Sequence, residues 1–212
     1  MRKILCIFLS IFLLFCSAAA LSEATVRDIL GITEDSAYQN AFLGFGFHLE
    51  DWTVLSQERS EEVEKFAKQL LSSDAQESIE ASGSFAVFSA IAPNSTDNIN
   101  AVLIPLDDQA ARVFELLGIK YLYENQLDQL QSTLEDAQMQ DISIVVSSIA
   151  IDGRELTCLR TACNYMGQMN IHSLQISFIK DTYLINITAT ASAREAAEDA
   201  MGRIFWMQNE NQ

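Results

Sequence analysis

The sequence predicts an α+β domain built on a single antiparallel sheet of about six to seven strands, with helices on both faces. Three observations carry that expectation. β-rich segments come in neighbouring pairs joined by short turn sequences, as antiparallel strands do. Helical periods interrupt these pairs without the regular strand–helix alternation of a parallel sheet. Within residues 142–162, Val146 and Leu159 are phased to one face, and Ile149 and Leu156 to the other. Both faces of the sheet therefore need covering.

The chain opens with Met1-Arg2-Lys3, then an apolar run from Ile4 to Phe15 broken only by Cys6 and Ser10, then Ser17-Ala18-Ala19-Ala20. That is the charge, core and small-residue order of a secretory signal. Residues 1–20 are expected to be removed after Ala20, which places the protein in the cell envelope or outside the cell. The apolar run falls short of the about 20 residues that cross a bilayer. Membrane attachment would need an uncleaved signal or a lipid on Cys16. Residues 21–37 read as a leader or a short helix capped by Ser22, and residues 38–208 as one domain.

Asn40 to Leu49 alternates apolar residues around Gly44 and Gly46 and reads as a strand or tight hairpin, with Trp52 just beyond. From Ser60 the period changes: Val63, Phe66, Ala67, Leu70 and Leu71 make one apolar helix face. Residues 74–81 read as a second helical piece, ended by Gly83. Ser84 to Ala92 and Ile99 to Leu106 are strands around the turn formers of residues 93–98.

Asp108 to Leu117 is a short helix stopped by Gly118. A longer helix follows, with Tyr123, Leu127, Leu130, Leu134 and Ala137 as its buried stripe. Ile142 to Ile151 and Arg154 to Ala162 flank Asp152-Gly153, the dipeptide that favours a type I′ hairpin. Ile171 to Ile179 and Tyr183 to Thr190 pair around Lys180-Asp181-Thr182. Ser192 to Glu195 has the spacing of a capping box, opening a last helix with Ala197, Ala200, Ile204 and Phe205 inward.

The run Tyr38-x-Asn40-x-Phe42-Leu43-Gly44-Phe45-Gly46-Phe47-x-Leu49-x-x-Trp52 resembles the opening hairpin of the PsbP-like fold, with Glu50 and Asp51 where that family usually has Pro. The later order of elements is similar too. The whole chain resembles uncharacterised exported proteins of anaerobic Gram-positive bacteria. The resemblance implies a helix-covered sheet and binding or scaffolding roles, and it brings no functional residues with it.

Charge narrows the partners. The chain has 13 basic and 29 acidic residues, a formal charge of −16. Without residues 1–20 the balance is 11 to 29, or −18. Nucleic acid and anionic lipid would be repelled. Solubility accounts for the charge, and a cationic partner is compatible with it.

Chemistry is sparse. His48 and His172 have no neighbour at a metal-ligand spacing. Residues 94–100 place oxygen side chains as a calcium loop does, but lack its central Gly and closing Glu. There is no nucleophile elbow. Cys163 and His172 could meet across a hairpin as a thiol–imidazole pair. Glu50-Asp51 and Asp107-Asp108 could be nominated as paired acids only by adjacency. Cys158 and Cys163 lie near one strand at an odd separation, on opposite faces, and are expected as buried free thiols. Only a bend after Thr161 would let them bridge.

No catalytic, metal or cofactor-binding residue is assigned, and no cofactor is expected. Phe42, Phe45, Phe47 and Trp52 are core residues or, in the sharper reading, Trp52 with Phe45 and Phe47 lines a small pocket or docking edge. The expectation is an exported binding or scaffold module for an unidentified protein, peptide or small ligand. The alternative is a secreted hydrolase acting on cell-wall or extracellular polymer.

Overall fold

The computed structural model describes residues 30–34, 36–55, 83–93 and 95–207. The expected signal, and the helices expected at 60–71 and 74–81, lie outside the described residues. In chain order the strands are β1 (Ile32–Glu34), β2 (Ala37–Asn40), β3 (Phe45–His48), β4 (Thr53–Val54), β5 (Phe85–Ile91) and β6 (Asn98–Pro105). Helix α1 (Asp108–Asp136) precedes β7 (Met139–Ile151), β8 (Arg154–Tyr165), β9 (Met169–Lys180) and β10 (Tyr183–Ala191). Helix α2 (Arg194–Gly202) and β11 (Ile204–Trp206) close the described chain.

Turn chemistry sets the pairing. Asp152 and Gly153 have φ of 46° and 76°, the two positive angles of a type I′ turn, and Ile151 pairs with Arg154 across it. Val146 then faces Leu159 and Ile149 faces Leu156, and these two pairs contribute to different apolar clusters. The hairpin thus carries apolar contacts on both faces, as its phase demands. Asp181 takes a φ of 54° in the turn that pairs Lys180 with Tyr183.

Seven strands form one antiparallel sheet in the order β4-β5-β6-β10-β9-β8-β7. A second sheet, β1-β2-β3-β11, has four. The expected single sheet with helices on both faces is corrected on this point. α1 covers one face of the large sheet. The small sheet, with α2 beside it, covers the other. The cause is Ile204-Phe205-Trp206, an apolar triplet too short to separate by periodicity from the helix before it. It pairs with β3 and so draws the first hairpin into a sheet of its own. Ile204 and Phe205 are strand residues, not the helical ones expected.

The two sheets meet through rings. Tyr38 stacks on Phe88 at 4.2 Å, Phe47 lies 5.3 Å from Phe88, and Phe45 meets Phe178 edge-on at 6.5 Å. Each fully buried ring contributes about 1.5–3 kcal/mol.

α1 begins at Asp107, whose carboxylate accepts the Ala110 N–H at 2.7 Å. It is broken at Gly118, whose φ of 77° and ψ of 164° are open essentially to glycine alone. Before the break, Ala111 and Phe114 pack toward Val102, Ile104 and Leu184. After it, the whole expected stripe from Tyr123 to Ala137 packs on Leu159, Cys163 and Ile171.

α2 buries Ala197, Ala200 and Met201. The expected capping box is absent. Ala193 is the N-cap, without a side-chain cap, and the Ser192 N–H instead donates to Asp97 Oδ1 at 3.2 Å.

Candidate binding groove

Strand register decides the sequence-derived candidates first. Cys163 pairs with Ile171, whereas His172 pairs with Ala162. Adjacent strand residues leave opposite faces, so Cys163 turns toward α1 and His172 away from it. The thiol–imidazole pair does not form. Burial pushes the Cys163 thiol up to about 11, the reverse of an activated nucleophile. Cys158 is likewise buried, and both are free thiols, on opposite faces because their spacing in one unbent strand is odd.

The nominated acids have other work. Asp107 caps α1, and Glu50 pairs with Arg203 at 3.0 Å. Ser95 and Asp97 make turn contacts within residues 95–98, and Asp97 also holds Ser192. Among the described residues no three His, Cys, Asp or Glu side chains gather where they could hold a metal. Nor is any described helix long and apolar enough to cross a membrane.

The aromatic hairpin divides. Phe45 and Phe47 are 1% and 0% exposed and face the inter-sheet core. Trp52 is half-buried, 5.5 Å from the Phe47 ring on one side and 5.6 Å from the Arg203 guanidinium on another. Of the three, Trp52 alone reaches solvent.

The face of β7–β9 turned away from α1 carries a different feature. Where α2 stops covering the sheet, an open groove of about 450 Å³ remains. Ser143, Val145 and Ser147 of β7 form one wall. Arg160, Ala162, His172 and Leu174 form the floor, and Arg194 and Ala197 of α2 form the other wall. Strand alternation supplies this set: residues of one parity on three neighbouring strands share a face.

The polar groups of the groove are held in place. Arg160 donates through Nε to Ser147 Oγ at 3.0 Å and through an η nitrogen to Glu198 Oε1 at 2.5 Å. Arg194 donates to the same oxygen at 2.9 Å. The Arg194 hydrogen bond, with help from Arg160, holds the Glu198 carboxyl below its ordinary range. Two guanidiniums thus share the Glu198 carboxylate, and Glu195 adds a second negative charge within electrostatic reach of Arg194. A guanidinium has five N–H donors, so donors remain for an incoming carboxylate or other anion.

No motif marked this site. Its residues come from three strands and a helix. The only sequence signal was Arg160, the one charge between Leu156 and Tyr165 of β8, with the Arg194 and Glu198 pair one helical turn apart.

A buried polar strip lies on the other face, beneath α1. Tyr123 shares a hydrogen bond with Ser177 at 2.7 Å, Ser177 donates to Asn186 at 2.5 Å, and Thr188 donates to Gln175 at 3.3 Å. Burial raises the Tyr123 phenol above its ordinary range. This strip keys α1 to the sheet.

No protein-family model matches the chain, and no curated protein matches it. Several solved structures are similar in shape. Cyanobacterial PsbP from Synechocystis sp. PCC 6803 is 9% identical at a TM-score of 0.49, covering 89% of this chain and 98% of that one. A protein of Bacteroides thetaiotaomicron VPI-5482 is 11% identical at 0.39, covering 80% of this chain and 47% of its own. LpqN, involved in cell envelope biogenesis of Mycobacterium tuberculosis, is 11% identical at 0.38, covering 77% and 83%. At these values none of the three bears on what this chain does.

Proposed function

We propose that the domain is an exported, non-enzymatic binding module whose recognition site is the groove between β7–β9 and α2. The ligand is a small molecule or a peptide side chain that presents a carboxylate or another anion. The observation that carries this reading is the Arg160–Glu198–Arg194 cluster. Two guanidiniums are oriented by Glu198 and Ser147, at the edge of an open groove whose walls are otherwise apolar or hydroxylic. Such a mix of apolar surface and a few fixed polar groups is what ligand sites offer. Export rests on the order of residues in Met1–Ala20, and the cell envelope or the exterior is the proposed location. Trp52 does not line the groove; as the solvent-reaching ring of the first hairpin it is a separate proposed docking contact for a protein partner.

The test is a nuclear magnetic resonance titration of the purified protein with succinate, acetate and inorganic phosphate. Shifts at Arg160, His172 and Arg194 that weaken with salt and vanish in Arg160→Gln support the reading. Shifts elsewhere, or none, count against it. Turnover of a wall glycan or peptide, abolished by one point mutation that leaves the fold intact, would replace the binding module with the hydrolase. Intact mass of the exported form should begin at Leu21.

A further inference from the structure

The large sheet ends at β7, and β7 has no partner on its outer side among the described residues. Ile151 and Arg154 close the two-residue turn as a hydrogen-bonded pair. Bonding to β8 therefore falls on the odd-numbered residues from Ser143 to Ile151. Ile144, Val146, Ser148 and Ala150 turn their N–H and C=O groups outward. No residue from 142 to 150 is buried.

Edges of this kind are usually blunted by lysine, proline or a short strand. Here Ile142 to Ile151 has no charge, no proline and no glycine. The blunting devices sit only at its ends: a register shift between Gln140 and Ser143, and the acids Asp141 and Asp152, both exposed.

These ends choose the partner. Antiparallel pairing of β7 with a second copy through its outward residues, centred on Ser147, would set Asp152 opposite Ile142 and one position from Asp141 at both ends. Like charges this close across strands repel, and each copy carries a formal charge of −16. The half of α1 packed against β7 is acidic as well. After Gly118 it exposes Glu124, Asp128, Glu135 and Asp136 against Lys120 alone. A strand with basic residues at both ends meets complementary charge at each of these places.

We infer that β7 is a docking edge for an extended segment of another protein, added as an eighth strand. That segment is β-prone and uncharged over about eight residues and carries Lys or Arg on both flanks. Main-chain bonds to Ile144, Val146, Ser148 and Ala150 supply the attachment, and the flanking charges select the partner. The inference stands independently of the groove, because it uses the edge of the sheet and not its face.

The test uses the purified protein and a synthetic peptide of alternating valine and threonine with two lysines at each end. Binding should slow amide exchange at Ile144, Val146, Ser148 and Ala150. A peptide with glutamates in place of the lysines should bind about tenfold more weakly, the scale of a few exposed ion pairs. Ser148→Pro removes one outward N–H without touching a β7–β8 bond, and should abolish binding while the melting curve stays intact. Asp141→Asn with Asp152→Asn should erase the preference for lysine flanks, which keeps the inference testable if the proline variant fails to fold. Absence of protection, equal binding of both peptides, or unchanged binding by Ser148→Pro would overturn it. So would sedimentation as a dimer that protects the same four amides, which would make a second copy the occupant.

Discussion

The ring of Phe205 lies directly over Gly46, its cross-strand partner in the small sheet. A Cβ at Gly46 would collide with that ring, so glycine is the residue that lets β11 and β3 close on one another. Gly46→Ala should cost about 1–3 kcal/mol, the scale of overpacking in a filled core. Phe205→Leu in the same background should recover part of the loss. Chemical denaturation of the two single variants and the double variant measures the coupling.

Gly153 meets no atom within 4 Å of where a Cβ would stand, so its substitution isolates backbone strain from packing. Gly153→Val should cost more than about 1 kcal/mol, and Gly153→Asn should cost less, since asparagine tolerates the left-handed region. Equal melting temperatures for the two variants would show that the turn does not depend on φ.

Cys158 and Cys163 should both be inert to a thiol reagent in the native protein. With its thiol at about 11, Cys163 holds about a hundredfold less thiolate than an ordinary cysteine. After denaturation without reductant both should label fully. Recovery of a peptide bridged between them would contradict the strand register.

Buried acids make the fold sensitive to alkali, Tyr38 and Cys163 within an accessible range and Tyr123 above it. Burial lifts the Tyr38 phenol to about 12, above its ordinary 10.0, and the Cys163 thiol to about 11, above 9.0. Each group is neutral while protonated, so the unfolded chain ionises first. The stability they contribute is fully present below the unfolded values. It is lost as pH rises through the folded ones, between about 9 and 12. Urea midpoints measured across that range should fall less steeply in Cys163→Ala and Tyr38→Phe than in the parent chain.

Glu198 acts in the opposite direction. Its carboxyl is lowered, first by the Arg194 hydrogen bond. Its contribution is present above the ordinary carboxylate range and is lost as pH falls through the lowered value. Glu198→Gln should flatten the acid limb of the stability profile and leave the alkaline limb unchanged.

Local chemistry made much of the fold legible. Asp152-Gly153, Gly118 and the Tyr123–Ala137 stripe each signal through residue type and short-range spacing, and each stands where the sequence places it. Ile204-Phe205-Trp206 was illegible because a three-residue strand carries no period. Its structural role comes entirely from β3, far away in the chain. Ser192 shows a related limit: its spacing fits a capping box, but Asp97 captures its backbone N–H first. The groove was harder still. Arg160, Arg194 and Glu198 meet only after β8 and α2 are packed together, so no linear window contains them. Phe45 and Phe47 were visible as aromatics, but burial of both depended on a second sheet that the sequence did not announce.

The break at Gly118 has a consequence for shape. A straight helix of 29 residues would be a rod of about 43 Å. The sheet beneath turns by roughly 20–25° from each strand to the next, so a rod lying across β6, β10, β9, β8 and β7 would lift off at one end. With two segments meeting at an angle that only glycine allows, each half follows the local slope of its own strands. Substituting that one residue would force a choice between the two ends. The half that lost would leave apolar sheet uncovered, over Ile104 and Leu184 or over Leu159 and Ile171.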